Sequence, residues 1–280
     1  TRANARRDMA AWISYAVGCM MGRFSLDQPG LILADAGDTL DDYWRKVQSG
    51  AGVPRALGSE AAGRMPAPHS NSGAAGRMPA LRFAPDEDGI IPVLDGEWFD
   101  DDIVARTHDF LRATFDEATL NENLRFIEES LGKDLRKYFL SDFYKNHLQT
   151  YKKRPIYWLF RSPKGAFAAL VYLHRMTRDT PNLILNRYLR NYLVKLRARI
   201  EHLDHAQAVA ATAKDKTTAR KESDQLKKNL RECEEWERDV LLPLAQSRPE
   251  LDLDDGVKTN YLKLGEALSP ISGLAAVEDE

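Results

Sequence analysis

Apolar positions recur at intervals of three and four along most of this chain, and those intervals mark out helices. Leu189, Leu193, Leu196, Ile200 and Leu203 alternate spacings of 4 and 3, a strict heptad seam. After the Ala-rich "AQAVAATAK", a second seam holds Leu226, Leu230, Cys233 and Val240 among dense Glu, Lys and Arg. Two such seams joined by a short break predict an antiparallel helical hairpin over 182–246, ended by Pro243 and Pro249. Upstream, 8–22 reads as a helix with Trp12, Tyr15, Cys19 and Met20 at helical spacing and Gly22 as its stop. "LILA" (31–34) reads as a short strand, and "DAGDTLDDYWRKV" as a loop into a helix with Asp38 as N-cap. Asp100 to Asp102 start the helix "DDDIVARTHDFLRATF", their charges at its positive end. Leu120, Leu124, Ile127 and Leu131 form the next, stopped by Gly132, and "KDLRKYFLSDFYKNHLQTY" a third.

Period two is scarce. Ile90, Ile91, Val93 and Leu94 suggest a strand interrupted by Pro92, hence an edge. Ile156 to Phe160 suggest a short buried strand, with 162–165 as the turn after it. "AFAALVYLHRM" then reads as an apolar helix, and Asp179-Thr180-Pro181 as the cap of the hairpin's first helix. Near the C-terminus, Asp255-Gly256 is a turn before a short helix.

One stretch has no period. Within 49–88, "AAGRMPA" occurs at 61–67 and again at 74–80 among Ala, Gly, Pro, Ser and Asn. Thirteen residues are too few for a solenoid unit. Ordering costs about 1–2 kcal/mol per residue, and this composition has little to bury in return, so a low-complexity linker or insertion is expected.

Composition is that of a core-forming globular chain: 280 residues, 43% hydrophobic and 29% charged. The net charge of −2 conceals a block. Residues 151–200 carry twelve Lys and Arg against one acid, Asp179, for +11; the rest carries 28 Lys and Arg against 41 acids, for −13. The block opens with "YKKRPIYWLFRSPKGAF", cationic and aromatic at once. Its rings, Tyr157, Trp158 and Phe160, either stack on bases or are core, and rings this dense are expected in the core. Its cations create a field of several kT, whose simplest use is binding a polyanion. The competing expectation is that acids elsewhere in the chain neutralise them.

Other chemistry is thin. Two cysteines suit a reducing compartment, and the expected localisation is cytoplasmic. No run of eighteen apolar residues spans a membrane, and no signal peptide opens the chain, which starts at Thr as a fragment would. His202 and His205 fall on the outer helix faces with no third metal ligand near. "DAGDTLDD" lacks calcium-loop spacing and reads as capping. Pro85-Asp86 opens like a nuclease pattern that no Lys completes. No Walker loop, Gly-x-Gly-x-x-Gly or Gly-x-Ser-x-Gly occurs, so spacing points to no catalytic centre.

Four blocks carry a resemblance: "ISYAVGCMMGRFSLDQPGLILA" (13–34), "YKKRPIYWLFRSPKGAFAALVYLHRMTRDT" (151–180), "LNRYLRNYLVKLRARIEHL" (185–203) and "LDDGVKTNYLKLGEAL" (253–268). In that order they resemble the C-terminal part of the PglX family, the adenine-specific DNA methyltransferases of bacteriophage-exclusion (BREX) defence, related to single-chain restriction–modification enzymes. The resemblance implies a parent that transfers a methyl group from S-adenosyl-methionine to N6 of adenine in DNA. That chemistry rests on an Asn-Pro-Pro-Tyr/Phe motif and a Gly-rich cofactor motif. No Pro-Pro occurs in this sequence, so no catalytic or cofactor residue carries over. This chain is then expected to be the target-recognition and spacer portion. The repeated "AAGRMPA" departs from the family pattern as an inserted element.

The expected fold is mainly α with a small α+β region, without a Rossmann-type methyltransferase core. The expected segments are a helical connector (1–48), the linker (49–88), a mixed region with the basic–aromatic stretch (89–181), the hairpin (182–246) and a tail (247–280). The expected partner is double-stranded DNA, bound by Lys152, Lys153, Arg154, Arg161 and Lys164, with Arg175, Arg178, Arg187 and Arg190 on adjoining elements. No cofactor, metal or membrane is expected for this chain. The alternative is a non-catalytic module whose hairpin, charged from Lys214 to Arg238, docks other phage-defence proteins; RNA binding by the same basic surface is a weaker third reading.

Overall fold

Residues 168–172, "AALVY", form the central strand of a three-stranded antiparallel sheet and not the expected helix. All five are buried, because both faces of the strand are covered by helices. A strand covered on both sides shows a continuous apolar run and hides its period of two. The computed structural model describes residues 2–50 and 82–274. Both copies of "AAGRMPA" and the last six residues lie outside the described residues, so most of the expected linker does too.

In chain order the elements are α1 (Arg2–Met20), α2 (Leu40–Gly50), β1 (Ile90–Pro92), α3 (Ile103–Thr114), α4 (Leu120–Leu131), α5 (135–150), β2 (Tyr157–Arg161), β3 (Ala168–Tyr172), α6 (180–209), α7 (213–247) and α8 (Gly256–Leu264). The fold is mainly helical with a small sheet, as the sequence predicts. The strand order is β1–β3–β2, with Ile90 opposite Val171 and Trp158 also opposite Val171 across the other edge. Pro92 sits on an edge strand, where its missing N–H costs no ladder bond.

The sheet divides two cores. Trp158, Phe160, Ala169 and Val171 face the α6–α7 hairpin and α8. Tyr157, Ala168, Leu170 and Tyr172 face α1 and α3–α5. The alternation along β2 and β3 is therefore present; it separates one helical layer from another instead of core from water. The seam residues Leu189, Leu193, Leu196, Ile200 and Leu203 are all buried, against Leu226, Cys233 and Trp236. Pro243 does not end α7. A π turn at Glu237–Leu241 precedes it, and the helix runs on to Ser247, with Pro249 beyond. Register slip of this kind accommodates a residue that cannot donate its N–H.

Two local expectations are corrected. "LILA" forms no strand, although Ile32 and Leu33 are buried and their N–H groups reach the Arg23 and Gly22 carbonyls. Asp38 is not the N-cap of α2. Its carboxylate accepts the N–H groups of Ala34 and Asp35 and pairs with Lys46 at 3.2 Å. Thr39 and Asp42 cap α2 reciprocally: Asp42 accepts from the Thr39 N–H, and the Thr39 hydroxyl accepts from the Asp42 N–H. Asp102 does cap α3, accepting from Val104 and Ala105. Its second oxygen receives Arg136 at 2.6 Å, which ties α3 to α5.

Candidate nucleic-acid interface

The +11 block is not one surface. Its twelve cations divide by what the fold places beside them. On α6, Arg190 donates to Glu237 at 2.7 Å, Arg197 to Glu234 at 2.7 Å and Arg199 to Glu222 at 2.7 Å. Arg187 pairs with Glu87 and Asp88, and the pairing raises its pKa further. Lys195 donates to the Trp98 carbonyl and lies 4.4 Å from the centre of the Phe99 ring. Such exposed pairs stabilise the fold by ~1 kcal/mol or less each, yet each places a carboxylate where a phosphate would have to come.

Arg175 is buried, and its guanidinium donates to the carbonyls of Asp86 and Glu87 at 2.8 and 2.6 Å. Burial lowers its pKa, opposed by the Asp86 carboxylate. It braces the loop before β1 and cannot reach a ligand outside. Arg178 is exposed, with Glu250 at 3.9 Å.

The remaining five stand apart. Lys152, Lys153, Arg154 and Lys164 are exposed, Arg161 is half-buried, and none has a carboxylate partner among the described residues. They sit at opposite ends of β2, itself about 13 Å long at 3.3 Å per residue step: Lys152, Lys153 and Arg154 in the turn before it, Arg161 as its last residue and Lys164 in the turn after it. The rings between them, Tyr157, Trp158 and Phe160, are at most 1% exposed, so they anchor the strand and cannot stack on bases.

The first turn is built by the end of α5. The Lys153 N–H reaches the Leu148 carbonyl at 2.8 Å and the Lys152 N–H the Gln149 carbonyl at 3.2 Å. This is a Schellman ending, and its left-handed position is normally glycine. Here Lys152 takes it at φ 49°, and Lys153 follows at φ 63°. A side chain in this region costs about 1 kcal/mol or more, offset in part by the attraction of a cation to the helix C-terminus. His147 holds the turn to the sheet. Its Nε2 accepts the Tyr157 N–H at 3.1 Å, and its ring lies 4.6 Å from Tyr151 and 4.8 Å from Tyr157. Burial pushes its pKa down to about 3, so it stays neutral at physiological pH.

The second turn is held from a distance. Glu232 on α7 accepts from the Ser162 hydroxyl at 2.6 Å, the Lys164 N–H at 2.7 Å and the Ala166 N–H at 3.2 Å. It stands about seventy residues away in sequence, and no spacing rule finds it. Its carboxylate is engaged by these donors, which leaves the Lys164 ammonium outward and unpaired among the described residues.

Other candidate chemistry is accounted for structurally. Asp86 accepts from Asp88, Gly89 and Ile90; burial, with Asp88 beside it, raises its pKa to about 6. His202 and His205 are exposed on α6, and among the described residues no three metal-ligating side chains converge. Cys19 and Cys233 are buried free thiols that burial pushes up to about 12. Among the described residues no helix is long and apolar enough to cross a membrane.

No family model matches this chain. It is 37% identical over 276 residues to the adenine-specific methyltransferase BrxX of Escherichia coli O9:H4 (strain HS). It is 34% identical over 273 residues to the adenine-specific methyltransferase PglX of Lacticaseibacillus casei (strain Zhang). Each match covers 94% of this chain but 20% of the relative, and lies in the relative's C-terminal fifth.

Proposed function

This chain corresponds to the C-terminal fifth of PglX-family adenine-specific methyltransferases, and from that we propose that it is the duplex-gripping portion of a site-specific N6-adenine DNA methyltransferase of phage defence, working in the cytoplasm. The observation that carries the reading is the pair of turns at the ends of β2, where Lys152, Lys153, Arg154, Arg161 and Lys164 have no carboxylate partner among the described residues. Unpaired cations on rigid turns meet phosphates without first giving up an internal partner, and they release counterions from DNA. The role is positioning: phosphate contacts fix register and orientation, and sequence is read at base edges. Arg178, whose acid neighbour is 3.9 Å away, is the next cation available.

In this reading methyl transfer is the work of another part of the parent protein. This sequence has no Asn-Pro-Pro-Tyr/Phe and no Gly-rich cofactor loop, so its residues do not fit S-adenosyl-methionine. An adenine must leave the helical stack to be methylated, and a duplex held firmly beside the catalytic site makes that extrusion productive.

The test is a titration of this chain against a mixed-sequence DNA duplex at several salt concentrations. The five turn cations contribute about −4 to −5 to the slope of log K on log[salt]. Binding with no salt dependence, or no binding at all, rejects the reading; equal competition by duplex RNA replaces DNA with RNA.

A further inference from the structure

The pairing across the hairpin has a second effect. Every acid that α7 turns toward α6 is taken: Glu222 by Arg199, Glu234 by Arg197 and Glu237 by Arg190. Of the other acids before residue 237, Asp215 bonds the Thr212 hydroxyl at the helix start, Asp224 lies 3.8 Å from Arg220, and Glu232 holds the β2–β3 turn. Glu235 is the acid of this stretch without a hydrogen bond or ion pair among the described residues. Three arginines of α6 are neutralised by α7, and of the α7 lysines only Lys227 has an acid partner among the described residues, Asp204, which leaves the others over.

Three of them form a row. Lys214, Lys221 and Lys228 are exposed, unpaired among the described residues and seven apart. Seven residues are nearly two helical turns, so the three lie on one outer stripe, opposite the buried Leu226 and Cys233. Seven residues past Lys228 the row ends at the exposed acid Glu235, and four residues past Lys228 the side chain of Glu232 grips the turn bearing Lys164. From 214 to 232 the axis rises about 27 Å, the length of about eight base pairs at 3.4 Å each.

We infer that Lys214, Lys221 and Lys228 form a second phosphate-binding track, which carries the duplex from the Lys164 turn along the outer face of α7. The inference rests on the duplex-gripping reading. It moves the hairpin's contact from the arginines of α6, where the sequence concentrates charge, to lysines outside the basic block. The partner is the phosphate backbone. A row of ammonium groups about 10 Å apart on a straight helix carries no fork geometry for reading bases.

The experiment uses the whole chain with Lys214, Lys221 and Lys228 all changed to Gln, titrated against mixed-sequence duplexes of 10 to 30 base pairs. The expected result is a salt slope smaller by about 2 to 3 units and an affinity about tenfold or more lower at 0.1 M salt. The length at which affinity stops rising should also fall by about eight base pairs. All three side chains are exposed, so circular dichroism and melting should match the unsubstituted chain. An unchanged slope and footprint, while K152Q/K153Q/R154Q still loses affinity, overturns the track and leaves the duplex-gripping reading standing. Failure of the unsubstituted chain to bind overturns both.

Discussion

Reversing the charge of the first turn, K152E/K153E/R154E, is expected to lower affinity for duplex DNA by about two orders of magnitude at 0.1 M salt. The loss should be similar for every duplex sequence, because these cations meet phosphate and not base edges. The salt slope should shrink by about three units, one for each lost contact. Stability should fall by about 1–3 kcal/mol, because carboxylates replace cations at the negative end of α5, although no ion pair is lost among the described residues. A companion substitution separates binding from folding. Lys152 occupies the left-handed position of a helix ending at φ 49°. Lys152→Gly removes the strain of a side chain there but also the attraction of its ammonium to the helix terminus. The net expectation is a gain of about 0.5–1 kcal/mol in unfolding free energy, together with weaker DNA binding. Urea denaturation and polarisation titration read the two effects. A loss of stability with affinity intact would mean that Lys152 serves the fold alone.

The largest expected effect on folding belongs to Asp102. It is 1% exposed, caps α3 through two backbone N–H groups, and receives Arg136 at 2.6 Å. Arg136 also donates to the carbonyls of Leu94 and Gly96, so one side chain joins α5, α3 and the segment after β1. Asp102→Ala removes the cap and leaves a mostly buried guanidinium without its counter-charge. Breaking one partner of such a pair costs about 3–5 kcal/mol. Asp102→Asn keeps an oxygen for the cap but loses the charge, and should fall between Ala and the unsubstituted chain. Equilibrium urea denaturation gives the comparison. Equal destabilisation by Asn and Ala would mean that the ion pair carries the effect and the cap adds nothing.

What the sequence revealed follows from how far each interaction reaches along the chain. The heptad seam from Leu189 to Leu203, the Asp102 cap and the Gly132 stop are local, and each sits where periodicity or capping chemistry places it. β3 was hidden because helices cover both its faces. The end of α5 was legible, but its left-handed turn was not, because a lysine stands where glycine would announce it. At the candidate interface, the sequence identified the charge but not its neutralisation. Arg197 and Glu234 are 37 residues apart and Arg190 and Glu237 are 47 apart, separations at which no local rule operates. Arg175 and Lys152 look alike in a sequence. Only the packing of the loop before β1 makes one a buried brace, while the other stays open to solvent.

One comparison tests directly whether pairing within the chain decides which cations reach DNA. The salt slope is measured for the unsubstituted chain, for K152Q/K153Q/R154Q, and for a chain neutralised at both members of three hairpin pairs, R190Q/E237Q, R197Q/E234Q and R199Q/E222Q. The paired variant keeps the net charge, and its slope should stay within about half a unit of the unsubstituted chain, while the first-turn variant should lose about three units. A large loss in the paired variant, or none in the first-turn variant, would contradict the account.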